Sequence, residues 1–367
     1  MHKVPLLLGA QCSRYSARVR SYLIKKGIQY VERVPSLVTY KWTVARRFGD
    51  AQMPILINRD GEWIHDSSNI LDRMEAMHPA NPILPSDPVL SVFCQLAAIW
   101  GAESWVVYDL AARWIHPENY PWWQEELGEG FFPGLPKALK NRAADHVAKM
   151  ITSHLPKVGY DDKSWPVIER WASRYMDILE AHFEKHDYLL GARATSADFG
   201  LICGFYGHLA QDPWSRRNLL QMRPHLHAWI WRMNQPYLGA EVPPLPAAGR
   251  PLTPSLQPIV ASLFDDLLPY LEGTLSELHR QFPAPRPGLR APRFLGMIKH
   301  HFGDGEIAWQ AQAIVLLQLQ RVRDFIAGLS AQQASNVRDW LHANGGASLL
   351  ELDVPRLELS GLTVKFV

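Results

Sequence analysis

Two adjacent side chains near the start of the chain, Cys12 and Ser13, place a thiol and a hydroxyl where a strand runs into a helix. Val4 to Leu8 is an apolar strand by pattern, Gly9-Ala10 is a turn, and a helix begins near Ser13 with Val19, Leu23 and Ile24 as its core-facing positions. Such a turn brings free backbone N–H groups and the positive end of a helix to one point in space. A hydroxyl or thiol placed there can hold or become an anionic sulfur. The pair is a candidate site for sulfur chemistry.

The segments that must position it follow in order. Gln29 to Val34 reads as a second strand, and a polar helical stretch covers Tyr40 to Phe48. Gln52-Met53-Pro54-Ile55-Leu56-Ile57 is a strand opening on a proline, which is tolerated at a strand's first residue and not in its middle. Asn58-Arg59-Asp60-Gly61 has the residue types of a hairpin turn, and Glu62 to His65 returns as a fourth strand. Asp66-Ser67-Ser68 then caps a helix running through Ile70, Leu71 and Met74.

This order resembles the thioredoxin-like domain of glutathione transferases. The resemblance is carried by Ser13-Arg14-Tyr15-Ser16-Ala17-Arg18-Val19-Arg20, by Met53-Pro54-Ile55-Leu56, and by Asp66-Ser67-Ser68-Asn69-Ile70. Thr195 and Asp198 resemble that family's capping box before an apolar helix, with Asp in place of the usual Glu, and Arg223 to Trp229 resembles its late helix. The likeness spans about residues 4 to 235. It implies an α/β thioredoxin-like glutathione-binding domain over residues 1–79 and an all-helical domain over 88–242. An extension over 251–367 lies outside the likeness. Proline-rich stretches, His78 to Pro88 and Pro243 to Pro254, separate the three.

Within the helical part, Val89 to Trp114 reads as a long apolar helix or helix pair, and Lys137 to Leu155 and Trp165 to Glu184 as amphipathic helices. Between them, His116 to Gly134 breaks regularity with prolines, glycines and a run of aromatics. In the extension, Leu256 to Gln281 and Glu306 to Leu329 read as helices, and Ser348 to Val367 as a terminal hairpin turning at Ser360-Gly361. Packing against the helical domain is the expected use of that region.

Composition narrows the alternatives. Lys and Arg total 38 against 36 Asp and Glu, so no charge field points to nucleic acid or to an anionic membrane surface. The apolar runs fall short of a membrane span and the start lacks a signal-peptide layout. Three cysteines without metal spacing suit a reducing cytosol, so a cytoplasmic protein is expected. His300-His301 with Asp304 and Glu306 is not read as a metal set, because adjacent histidines diverge on a helix.

The resemblance implies a chemistry. Glutathione is held by strand addition, with the backbone of Met53 pairing beside a cis Pro54, and Asp66 and Ser67 receiving the γ-glutamyl carboxylate. Ser13 aligns with the activating serine. A free thiol titrates near ~8.5, and lowering that by about two units takes ~2.7 kcal/mol. A charge-assisted hydrogen bond supplies ~1.5–3 kcal/mol and a helix end roughly 0.3–1 kcal/mol, so one hydroxyl and one helix start suffice. Arg14 stands where the family usually has proline, and either adds a cation near the sulfur or faces water. Trp105 and Tyr108 are candidates for the wall that receives a small hydrophobic electrophile, although an aromatic pair at this spacing is more often core.

The leading expectation is a glutathione transferase-like enzyme performing conjugation or lyase chemistry. If Cys12 rather than Ser13 contacts the sulfur, the reaction becomes thiol–disulfide reduction; Val19 and Leu23 pack correctly only in the Ser13 register. A non-catalytic binding module on the same fold is the third reading. The family also implies a homodimer.

Overall fold

Leu6–Leu8 (β1), Val31–Arg33 (β2), Ile55–Ile57 (β3) and Trp63–His65 (β4) form a mixed sheet in the order β2-β1-β3-β4. The computed structural model describes residues 4–239 and 241–367. β1 runs parallel to β2 and antiparallel to β3, with Leu7 opposite Leu56, and β3 pairs antiparallel with β4. Because side chains alternate along a strand, one face presents Leu8, Ile55 and Ile57, which pack with Val44 and Phe48 of the helical stretch after β2. The other face presents Leu7 and Leu56, both fully buried. Helices Arg14–Lys25 and Ser67–Met77 pack on each other, tied by a 2.7 Å hydrogen bond from Tyr22 Oη to Glu75.

The chain folds as two compact units. One comprises Met1–Pro82, Tyr108–Leu155 and Leu201–Val242; the other comprises Ile83–Val107, Pro156–Gly200 and Pro243–Val367. The helical region between the prolines contributes to both, and the extension belongs to the second.

In the second unit the capping box forms as the sequence suggests: the Thr195 N–H and hydroxyl donate to Asp198 at 2.9 and 3.0 Å, and the other Asp198 oxygen accepts the Leu189 N–H. The extension packs onto this helical frame. Trp100 Nε1 donates to Ser262, and Asp266 accepts from Trp171 Nε1 and from the Gly303 N–H. Two readings there need correction. Phe294–Phe302 (β5) and Gly305–Gln312 (β6) form an antiparallel hairpin, so the expected helix over Glu306 to Leu329 exists only as Val315–Ala327. His300 and His301 diverge because they alternate along a strand, His300 buried and His301 exposed. The terminal hairpin is present as Leu357–Ser360 (β7) and Thr363–Phe366 (β8).

The helical run Pro88–Ile115 is longer and more apolar than expected, enough to cross a membrane by composition, yet 89% of its most apolar window is buried inside the protein. That is the signature of a core helix.

Ser196–Gly204 continues into a π-helical turn, Phe205–Leu209, which in the first unit lies against the start of the first helix. The approach depends on Gly207. A Cβ there would lie 2.7 Å from Arg14 Cα and 2.9 Å from the Ser13 carbonyl oxygen, both rigid backbone atoms. Gly207→Ala is therefore expected to lower stability by about 1–3 kcal/mol through overpacking, read as a shift in the urea unfolding midpoint at unchanged slope; an unshifted midpoint would show that the two backbones are not in contact.

Candidate active site

The first helix begins at Ser13, whose Oγ caps it by accepting the Ser16 N–H at 3.3 Å. The Ser13 N–H donates back to the Ala10 carbonyl at 3.1 Å. The hydroxyl accepts one bond in this role and keeps its own hydrogen to donate. Ser13 is half-buried, so that hydrogen is within reach of an incoming atom.

Cys12 is placed differently. It is 9% exposed, packed with Ala10 under Trp123 and Leu127, and burial pushes its thiol up to about 11 despite the nearby Arg113 cation. The thiolate is the reactive form of cysteine, and at neutral pH this residue is a thiol.

Arg14 does not face water. It is 5% exposed and its Nε donates to Asp109 at 2.9 Å. The second Asp109 oxygen lies 2.7 Å from Nδ1 of His208, a ring that burial holds down to about 4. Gly204 makes room for this carboxylate: a Cβ there would come within 2.0 Å of Asp109 Oδ2.

Met53 precedes β3 through a cis peptide to Pro54. It lies beyond the last β3–β1 pair, Ile55 with Leu8, so its N–H and C=O fall outside the ladder. Gln52, next to it, is 5% exposed, and its Nε2 has no hydrogen-bond partner. A buried amide donor without an acceptor costs about 1–3 kcal/mol.

Asp66 caps the helix Ser67–Met77 by accepting the Asn69 N–H at 3.0 Å, from a backbone held at φ +65°. Left-handed geometry in a residue with a side chain is uncommon and clusters at binding sites. Ser67 and Ser68 follow as the first helical residues, both buried. Arg18, one turn after Arg14, is 5% exposed and donates to Ser68 Oγ at 2.7 Å, adding a cation at the same helix start. Helix polarity and guanidinium together suit a carboxylate there.

Trp105 and Tyr108 are 0% and 2% exposed. Trp105 lies among Trp100 and Trp171 as a core ring of the second unit. The aromatic surface beside the Cys12–Ser13 turn comes from the segment read as irregular. Tyr120–Phe131 is a helix, with Pro121 in its first turn where the missing N–H costs nothing. Its Trp123 and Leu127 cover Ala10 and Cys12, and Trp122, Phe131 and Met53 border the same cluster. The aromatic run was visible in the sequence; its assignment to this turn required the fold.

Residues 7–82 match the family model of the glutathione S-transferase N-terminal domain, and residues 147–236 match that of the C-terminal domain. The chain belongs to the glutathione S-transferase superfamily. Solved relatives are distant. A glutathione S-transferase from Rhodospirillum rubrum F11 is 14% identical, covering 70% of this chain and 91% of its own, with a TM-score of 0.41. One from Phanerochaete chrysosporium is also 14% identical, covering 64% and 97%, at 0.44. A third from Ceriporiopsis subvermispora, solved in complex with glutathione, is 12% identical, covering 63% and 96%, at 0.42. No curated protein sequence matches the chain.

Ser13, Met53, Pro54, Asp66 and Ser67 lie in one unit, together with Arg18, which the sequence did not single out. The burial of Cys12 makes a specific expectation. All three cysteines are buried, so the native protein at pH 7.5 should react with Ellman's reagent only slowly and release three equivalents on unfolding. One fast equivalent that disappears in Cys12→Ala would contradict the raised thiol pKa.

Proposed function

We propose that this superfamily member binds glutathione along the edge beside Met53–Pro54 and activates its thiol at Ser13 for attack on a small hydrophobic electrophile. The observation that carries this reading is the off-ladder Met53 backbone ahead of the cis peptide to Pro54. The edge has hydrogen-bonding capacity that the protein's own chain leaves unused. An extended γ-glutamyl-cysteinyl-glycine peptide supplies acceptors and donors for it.

The γ-glutamyl carboxylate then falls to the start of the Ser67–Met77 helix, near Arg18. The cysteinyl sulfur falls to the start of the first helix. There the Ser13 hydroxyl donates its free hydrogen to the sulfur, stabilising the thiolate over the thiol. Attack forms a sulfur–carbon bond with the electrophile, and the partly exposed aromatics Trp122 and Phe131 that border the cluster over the turn favour a hydrophobic one. Reduction through Cys12 is the weaker reading, because a buried, protonated thiol is a poor nucleophile.

Calorimetric titration of the intact chain with glutathione tests the first step, and absence of binding at millimolar ligand overturns the proposal. Ser13→Ala should lower turnover about 10- to 100-fold near pH 6.5, the loss of a ~1.5–3 kcal/mol hydrogen bond to a charged acceptor, while Cys12→Ala stays within a few-fold of the parent. If Cys12→Ala abolishes turnover and Ser13→Ala does not, the sulfur contact has been assigned to the wrong residue.

A further inference from the structure

The second unit holds a cavity of about 180 Å³ for which the glutathione reading has no use. Three elements wall it. The helix Trp165–Phe183 contributes Arg170, Trp171, Arg174 and Tyr175, two neighbouring pairs at i, i+4 spacing on one face. The helical segment from Gln257 to Leu267 contributes Asp265 and Asp266, and the end of β5 with its turn contributes His301, Gly303 and Asp304. The last two elements belong to the extension, beyond residue 236 where the matched family models end.

The floor of the cavity is fixed by the protein itself. Asp266 is 3% exposed and accepts from Trp171 Nε1 and from the Gly303 N–H, each at 2.8 Å, and from the Ser262 hydroxyl. Gly303 is held at φ +63°, and a Cβ there would lie 3.3 Å from that of Trp171, so the turn sits close on the indole. At the rim, Asp304 takes two bonds from Arg170, at 2.8 and 3.0 Å. Two lining charges of opposite sign are left over. The Arg174 guanidinium lies over the Tyr175 ring, 5.8 Å from its centre, and no carboxylate pairs with it among the described residues. The Asp265 carbonyl lies 3.4 Å from His301 Nδ1, but its carboxylate has no ion-pair partner among the described residues.

We infer that this cavity binds a small zwitterion, a free α-amino acid, with the ligand carboxylate on Arg174 and its ammonium group on Asp265. A simple anion would meet three carboxylates, Asp265, Asp266 and Asp304, against one unpaired guanidinium. A simple cation would meet that guanidinium. A molecule carrying both signs matches both leftover groups, and a guanidinium receives a carboxylate through two parallel bonds. No cluster among the described residues is arranged to hold a metal ion. The size agrees, since a cavity of ~150 Å³ holds benzene. Arg174 and Asp265 are both exposed, so the ligand enters without opening the fold. Every lining residue lies in the second unit, and Ser13 and Met53 lie in the first, so the inference is independent of the glutathione reading.

The test is calorimetric titration of the full chain with four probes, L-alanine, L-serine, L-glutamine and L-leucine, at millimolar ligand. At least one should bind. Its amide, which lacks the carboxylate, and its 2-hydroxy acid, which lacks the ammonium group, should each bind at least tenfold more weakly. Arg174→Gln and Asp265→Asn should each weaken the amino acid about tenfold at an unchanged urea unfolding midpoint. Arg174→Gln should also lose the preference for the amino acid over its amide. Failure of all four probes, equal binding of the amide or the hydroxy acid, or undiminished binding by either variant overturns the inference. Glutathione enters none of these measurements, so a failure of the proposed function is read separately.

Discussion

Buried guanidinium groups hold the turn from Ala10 to Arg14, and the rest of the site depends on that clamp. Arg20 donates to the Ala10 carbonyl while paired to Glu32. Arg113 donates to the Cys12 carbonyl and the Gly207 carbonyl while paired to Asp212. Arg14, inside the turn itself, is anchored to Asp109. Ion pairs this deep contribute little net stability, because desolvation offsets their attraction. Removing one partner alone costs about 3–5 kcal/mol, since the other is left as an uncompensated charge. The clamp therefore specifies a geometry more than it adds stability. It fixes the Ser13 hydroxyl before any ligand arrives, and a preorganised donor loses no ordering free energy when the ligand binds.

The same clamp separates the two candidate sulfur contacts. Cys12 and Ser13 are neighbours, so the helix end and the Arg113 cation act on both. What differs is access to water. Cys12 is sealed under Trp123 and Leu127, and desolvation outweighs every nearby positive charge. In the proposed function Ser13 does not ionise: it directs a neutral hydroxyl at a sulfur that arrives from solvent, and a polar donor beside apolar side chains strengthens the bond it makes. On that proposal the site favours an incoming thiolate over a resident one.

Sequence patterns exposed the frame of the site and missed much of what grips it. The cap residues Ser13 and Asp66, the proline before β3 and the Thr195–Asp198 box are local signals, each set by a few neighbouring backbone groups, and each was legible. The partners of Arg14, Arg18 and Arg20 were not: the sequence left Arg14 either beside the sulfur or in water, and Asp109, Ser68 and Glu32 lie far off in sequence or on another element. The first helix is buried nearly all round, so its apolar stripe understated its contacts, and Tyr22 is buried more fully than the expected Ile24. The β5–β6 hairpin was hidden for a different reason. Ile307, Trp309 and Ala311 are buried at alternate positions, but the apolar residues that follow continue at helical spacing, and the longer period masked the shorter one.

Glycines explain why the motif residues alone do not locate the site. Gly204 admits the Asp109 carboxylate, Gly207 admits the backbone of Arg14, and Gly130 admits Val34; a Cβ at any of them would approach a neighbour within 2.7 Å. Two of these bring other segments against Arg14 and its partner Asp109, and the third seats the Tyr120–Phe131 helix on Val34, at distances that only a missing side chain allows. A glycine signals such an approach without saying what it approaches. The functional groups could be named from their types, but the wall around them is set by backbone proximity, which single residues do not encode. For that reason the aromatic helix over Cys12, and not the Trp105–Tyr108 pair, forms the apolar cover of the turn that leads into Ser13.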